Sequence, residues 1–321
     1  MNHFLIKGTF HVVGFSPDGD SIRFKAGNKR LWDNLKINAS KSEKNQFDKD
    51  YKSEKNKEAV QLRLQGVDAL ETHYDGFEQP TKLGQDAAEA LIKFLGVKNE
   101  FDWQKSGVKK TVKLYDPEKM KKKEKNPYVD KFRENIEGYI VSGELEPHGR
   151  PLAWVFPGKS RYADGASLSE DNLARLVDKS ANYHLLKNGF VYPFFFSTLS
   201  GKLRKKLAET AKIASGNKSN VWELNKTNLK KPTIEMIQEI TIFPDVFRRI
   251  ITGSKVSKKS SKDTVINLKD TFTDGKGEPR NPRVFVTSTQ DFMRLNEVVV
   301  VDEKGEVLKL NKDPWDIVFL S

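Results

Sequence analysis

Apolar and polar positions alternate in several short runs separated by turn-forming residues. Residues 9–15 read as a strand, and Ser16-Pro17-Asp18-Gly19 as a turn in which proline presets φ and glycine is free to take a positive value. Residues 20–25 read as the returning strand, where Ile22, Phe24 and Ala26 alternate with Ser21, Arg23 and Lys25, so that one face is buried and the other wet. Residues 60–67 repeat the pattern, with Val60, Leu62 and Leu64 on one face and Gln61, Arg63 and Gln65 on the other. Two further strands are predicted over residues 136–142 and 151–156, joined through Glu146-Pro147-His148-Gly149-Arg150. Between these runs the period changes. Ala87, Ala88, Leu91, Ile92 and Leu95 recur at helical spacing, and Gly96 ends the run. A capping box at Ser167-Leu168-Ser169-Glu170 predicts a helix through Leu173, Leu176, Val177, Ala181 and Leu185 that stops at Gly189. A third helix is predicted over residues 199–214. The order gives an α+β plan on a small antiparallel barrel.

Two stretches interrupt this plan. Residues 36–58 are polar, dotted with lysine and without a sustained period, and read as a long exposed loop. Residues 105–125 are basic and contain Lys119-Met120-Lys121-Lys122-Lys123, either a solvated loop or a contact to a phosphate backbone. The texture changes after residue 225. Two short helices are predicted over residues 234–243 and 246–251, then a serine- and lysine-rich linker at 254–262 and strands at 284–286, 297–302 and 306–310. The expected domains are therefore 1–225 and a small mixed C-terminal domain at 226–321.

Composition narrows the chemistry. Lys and Arg number 56 against 44 Asp and Glu, a net charge of +12, which favours polyanions as partners. Cysteine is absent, which excludes disulfides, thiol nucleophiles and thiolate metal sites. The five histidines show no zinc-ligand spacing, and no Walker loop, dinucleotide-binding glycine fingerprint or GxSxG elbow occurs. No apolar run approaches the roughly 18 residues of a membrane span. The N-terminus has no secretory signal, so a cytoplasmic location is expected over secretion by a signal-independent route.

What remains is a set of carboxylates and arginines. Asp18-Gly19-Asp20 lies on the hairpin, and Arg63, Asp68 and Glu71 fall in Leu62-Arg63-Leu64-Gln65-Gly66-Val67-Asp68-Ala69-Leu70-Glu71-Thr72. Arg150 falls in Gly149-Arg150-Pro151-Leu152-Ala153-Trp154. With Leu186-Lys187-Asn188-Gly189-Phe190 and Asn220-Val221-Trp222, these segments resemble, in order, the thermonuclease or staphylococcal nuclease-like family over roughly residues 4–224. The C-terminal region carries no such resemblance.

The resemblance implies an OB-fold five-stranded antiparallel β-barrel with three helices. It implies a calcium-dependent endonuclease that hydrolyses DNA and RNA, preferably single-stranded, by attack of water at phosphorus and leaves 3′-phosphate ends. Asp20, Asp68 and the carbonyl of Ala69 would ligate Ca²⁺, Glu71 would hold or activate water, and Arg63 and Arg150 would grip the phosphate. An all-oxygen donor set suits a hard ion. Leu70 stands where the family commonly has proline, Pro147 and His148 where tyrosine and lysine are usual, and Tyr192, Phe194, Phe195 and Phe196 near the expected stacking tyrosines. The alternative is a non-catalytic nucleic-acid-binding module on the same barrel. A protein partner through residues 226–321 is a further expectation.

Overall fold

The computed structural model describes residues 3–106, 109–134, 136–254, 256–257, 259–274 and 276–320. The fold is mixed α+β, and the chain divides into two compact units, each drawn from two stretches of sequence. One comprises residues 1–65 and 88–184, the other residues 66–87 and 185–321.

The first unit holds a closed barrel. Its five strands run in the order Ser21–Ala26, Val60–Leu64, Pro151–Pro157, Ile136–Leu145, His3–His11, and the last pairs back with the first. Alternation decides which side chains enter: Ile22, Phe24, Leu62, Leu64 and Phe10 are buried together with Ile140 and Val155. One pairing departs from the expected antiparallel pattern. Val60–Leu64 and Pro151–Pro157 run parallel, with Arg63 opposite Leu152 and Leu64 opposite Ala153. Gly8 and Gly138 face one another in register, and a Cβ on Gly138 would lie 2.3 Å from the Phe10 ring. Absence of a side chain at both positions makes room for the stacked Phe10 and Phe24 rings.

The stretch expected to be a loop at 36–58 contains an eleven-residue helix, Lys41–Tyr51. Ser40 accepts from the Glu43 N–H while the Glu43 side chain accepts from the Ser40 N–H, a capping box that satisfies donors at both ends of the turn. Only Phe47 on this helix is buried, against Trp32, so the apolar stripe is too thin to show as a period. The basic insertion is likewise ordered. Phe101–Ser106 and Lys109–Leu114 pair as a hairpin, and Pro117–Lys121 forms a short helix. Lys119 and Lys121 there pair with Asp130 and Glu118. The single helix expected after the 167–170 box is two, Glu170–Leu176 and Ala181–Lys187, with Ser169 rather than Ser167 as the first cap. Ser180 breaks the run by donating to the Val177 carbonyl and accepting from the Tyr183 N–H.

The second unit has two small sheets. One orders Phe195–Phe196, Ile317–Phe319, Arg283–Val286 and Asp291–Arg294, and the other Leu229–Lys230, Val307–Leu310 and Val299–Val301. Its core gathers Leu70, Tyr192, Trp222, Phe243, Phe247 and Ile250. The expected linker at 254–262 falls partly outside the described residues, at 255 and 258. Among the described residues no helix is long and apolar enough to cross a membrane.

Candidate functional site

Three of the candidate residues belong to the barrel unit. Asp20 immediately precedes Ser21, the first residue of its strand, and Ser21 pairs with Arg63. Arg63 in turn lies opposite Leu152, two positions beyond Arg150. Three neighbouring strands thus bring Asp20, Arg63 and Arg150 to one rim. The Asp20 carboxylate and the Arg63 guanidinium form an ion pair, with both side chains largely buried. The Asp20 carbonyl also accepts from the Leu64 N–H at 2.7 Å, which fixes the backbone beneath that pair.

Arg150 is set by its turn. Glu146 Oε1 accepts from both the Arg150 N–H, at 3.1 Å, and its Nε, at 3.0 Å. The turn closes through Glu146 N–H to the Arg150 carbonyl and Gly149 N–H to the Glu146 carbonyl. Gly149 has φ +77°, and a Cβ there would lie 2.5 Å from the backbone nitrogen of Phe47 in the Lys41–Tyr51 helix. The turn requires glycine on both counts.

Asp68, Ala69 and Glu71 belong to the second unit. Asp68 is fully buried on a two-residue strand that pairs with Tyr192–Pro193, and Ala69 is buried beside it. Glu71 follows, placed by Gln79. The Gln79 side chain accepts from the Glu71 N–H at 3.0 Å, its backbone N–H donates to the Glu71 carbonyl, and its amide donates to the Ile242 carbonyl at 2.7 Å. Leu70 is packed into this unit's core, a place where the side chain adds apolar burial.

One residue of this unit has no counterpart in the sequence reading. Arg248, on the helix Pro244–Ser254, donates to Asp68 Oδ1 at 3.2 Å and Oδ2 at 2.8 Å, and to Glu71 Oε1 at 2.6 Å. Asp245 lies 3.9 Å away on the same helix and is held closer by Arg249, at 2.7 Å. The Phe194 ring lies beneath the guanidinium, its centroid 5.9 Å from Cζ. Burial works against the charge on Arg248, but Asp68, Asp245 and Glu71 outweigh it and hold the guanidinium above its usual range.

These contacts bear on the calcium that the resemblance implies. Carboxylate and carbonyl oxygens are the right donors for Ca²⁺. Both Asp68 oxygens, however, already accept from Arg248, which brings the positive charge that a metal would bring. As folded, the Asp68 side of the donor set does not fit a metal ion.

The aromatics at 192–196 are mostly core. Tyr192 and Phe195 are fully buried, and Phe194 nearly so. The Tyr192 hydroxyl is committed to Asn225 Oδ1 at 3.0 Å and Thr241 Oγ1 at 3.3 Å. Phe196 is half-buried.

Arg248 carries no local signal in the sequence. It sits in Val246-Phe247-Arg248-Arg249-Ile250-Ile251, where it looks like any charged position on an amphipathic helix. No family model matches the chain, and no curated protein matches it.

Proposed function

We propose that the chain is a nucleic-acid phosphodiesterase of the thermonuclease type, built on an OB-like barrel and hydrolysing DNA and RNA. The observation that carries this reading is the rim on which Asp20, Arg63 and Arg150 stand at the ends of three neighbouring strands. Two guanidiniums beside one carboxylate leave an excess of positive charge, which is what a phosphodiester anion needs. Attack by water builds further negative charge on phosphorus, and arginine meets it with planar, charge-assisted hydrogen bonds that strengthen as the charge develops.

Arg63 and Arg150 are then the phosphate-gripping residues. Glu71 is the group to which the resemblance gives the orientation or activation of water, and its backbone is held at both N–H and carbonyl by Gln79. A water nucleophile needs no ribose 2′-hydroxyl, so both nucleic acids are substrates. The net charge of +12 supports the same class of partner.

The test is release of acid-soluble nucleotides from single-stranded DNA, with calcium and with a chelator, beside Arg63→Lys, Glu71→Ala and Arg150→Ala. Loss of one transition-state donor costs on the order of 10²-fold in rate. Release by the wild type with such a loss in each variant is expected, and undiminished release in the variants rejects the reading. The second reading is a binding module without catalysis. It is favoured by the engagement of Asp68 and Glu71 with Arg248, and DNA binding without release would select it.

A further inference from the structure

A single guanidinium spans two carboxylates to which the proposed function gives cation-binding and water-orienting roles. Arg248 bonds both oxygens of Asp68 and one of Glu71, with all three distances at or below 3.2 Å. An ordinary structural ion pair uses one carboxylate. Here Asp68, Glu71 and Asp245 face Arg248 and Arg249, so one negative charge is left over and the cluster still attracts a cation.

We propose that Arg248 is the built-in cation of the Asp68–Glu71 pair, and that a divalent cation reaches these carboxylates only when its guanidinium withdraws. The proposal rests on the nuclease reading and adds a regulatory element to it. The arginine and the metal exclude one another because both need the same lone pairs. Ca²⁺ takes carboxylate oxygens at about 2.3–2.6 Å from several directions, which cannot coexist with a fork bonded to both oxygens of Asp68.

The long side chain makes withdrawal feasible without moving the helix. Arg248 is anchored by Pro244–Ser254, whose neighbouring side chains Val246, Phe247, Ile250 and Ile251 are buried in the core, while the Arg248 side chain is still 23% exposed. A path to solvent therefore exists for the guanidinium, and the helix stays where it is. Two charges on the metal against one on the arginine favour exchange when calcium is abundant.

The experiment measures calcium binding by calorimetry and the calcium-induced rise in Tm for the full chain. The proteins are wild type, Arg248→Met, Arg248→Lys and Arg248→Met with Asp68→Asn. Arg248→Met is expected to bind calcium at least about tenfold more tightly than wild type and to gain more Tm from it by mass action. Adding Asp68→Asn should abolish that gain. Equal affinity in wild type and Arg248→Met overturns the proposal, and so does a gain that survives Asp68→Asn.

Arg248→Met can fail to fold, because removing one partner strands buried charge. Recovery of its fold by calcium then supports the proposal. If it stays unfolded, Arg248→Lys decides. Lysine keeps the charge and loses the fork, so calcium affinity above wild type is expected and unchanged affinity overturns. Nucleotide release measured in parallel separates the two readings. Tighter calcium binding without any cleavage rejects the nuclease and keeps the role of Arg248, whereas calcium-dependent cleavage with no change in affinity does the reverse.

Discussion

The side-chain amide of Asn182 donates to the carbonyl of Ala153 at 2.9 Å, in the strand that follows Arg150. The same side chain accepts from the Val155 N–H and donates to the Gln65 carbonyl, in the segment that follows Arg63. It is fully buried. One residue on a helix therefore ties together the ends of two strands that carry the candidate arginines, just where their pairing is parallel and short.

Asn182→Ala strands three backbone groups in the interior. At roughly 1–3 kcal/mol for each unsatisfied group, partly relieved by relaxation, stability should fall by about 3 kcal/mol. Urea unfolding followed by tryptophan fluorescence checks this, and a loss within about 0.5 kcal/mol of zero would mean that the amide is not needed to hold the strands.

Gly149→Ala should displace the turn that presents Arg150. The positive φ alone costs roughly 1–2 kcal/mol for alanine, and the new Cβ meets backbone of the Lys41–Tyr51 helix. Reduced Tm together with a lower rate of nucleotide release is expected. Reduced Tm with an unchanged rate would detach Arg150 from the chemistry.

Gln79→Leu keeps the side-chain volume and removes the bonds to Glu71 and Ile242. Gln79 acts through Glu71, so its loss should lower kcat with little effect on KM for single-stranded DNA. A change in KM alone would give Gln79 a different role.

Stability should depend on acid through Glu134. This carboxylate accepts from the N–H groups of Val12 and Val13 at 3.0 and 2.8 Å and lies 3.3 Å from His11 Nδ1. Burial alone would push its pKa up, but the hydrogen bonds from His11 and the backbone outweigh this and hold it below the ordinary 4.5. A depressed pKa gives stability that is present above the unfolded value and lost as pH falls through the folded one. Glu134→Gln should therefore cost about 2 kcal/mol near neutrality and progressively less below about pH 4.5. Unfolding curves across that range test the sign.

Binding to nucleic acid should weaken steeply with salt. The helix Gly201–Gly216 carries Lys202, Arg204, Lys205, Lys206 and Lys212, and Lys205 and Lys212 are exposed. A log–log slope well beyond −2 between low and moderate salt is expected if several phosphates are neutralised. A flat response would make these ordinary solvated lysines.

How much of this could be read from the sequence follows from the length scale of each signal. The barrel strands were legible because burial on one face writes a period of two, as at Ile22, Phe24 and Ala26. The Asp20–Arg63 pair follows from register once those strands are placed. The Lys41–Tyr51 helix was hidden because it buries one side chain, although Ser40 and Glu43 spell its cap. Tyr192–Pro193 and Ile317–Phe319 are too short to establish any period. Arg248 was illegible for another reason. Its meaning lies in partners 177 and 180 positions away, and no local pattern records them.

That separation also sets an order of events during synthesis. Asp68 and Glu71 leave the ribosome long before Arg248, and a contact closing so long a loop forms late. During that interval the two acids lack this guanidinium, so divalent ions meet them without that competitor. A nascent or prematurely terminated chain would thus differ in metal affinity from the finished one.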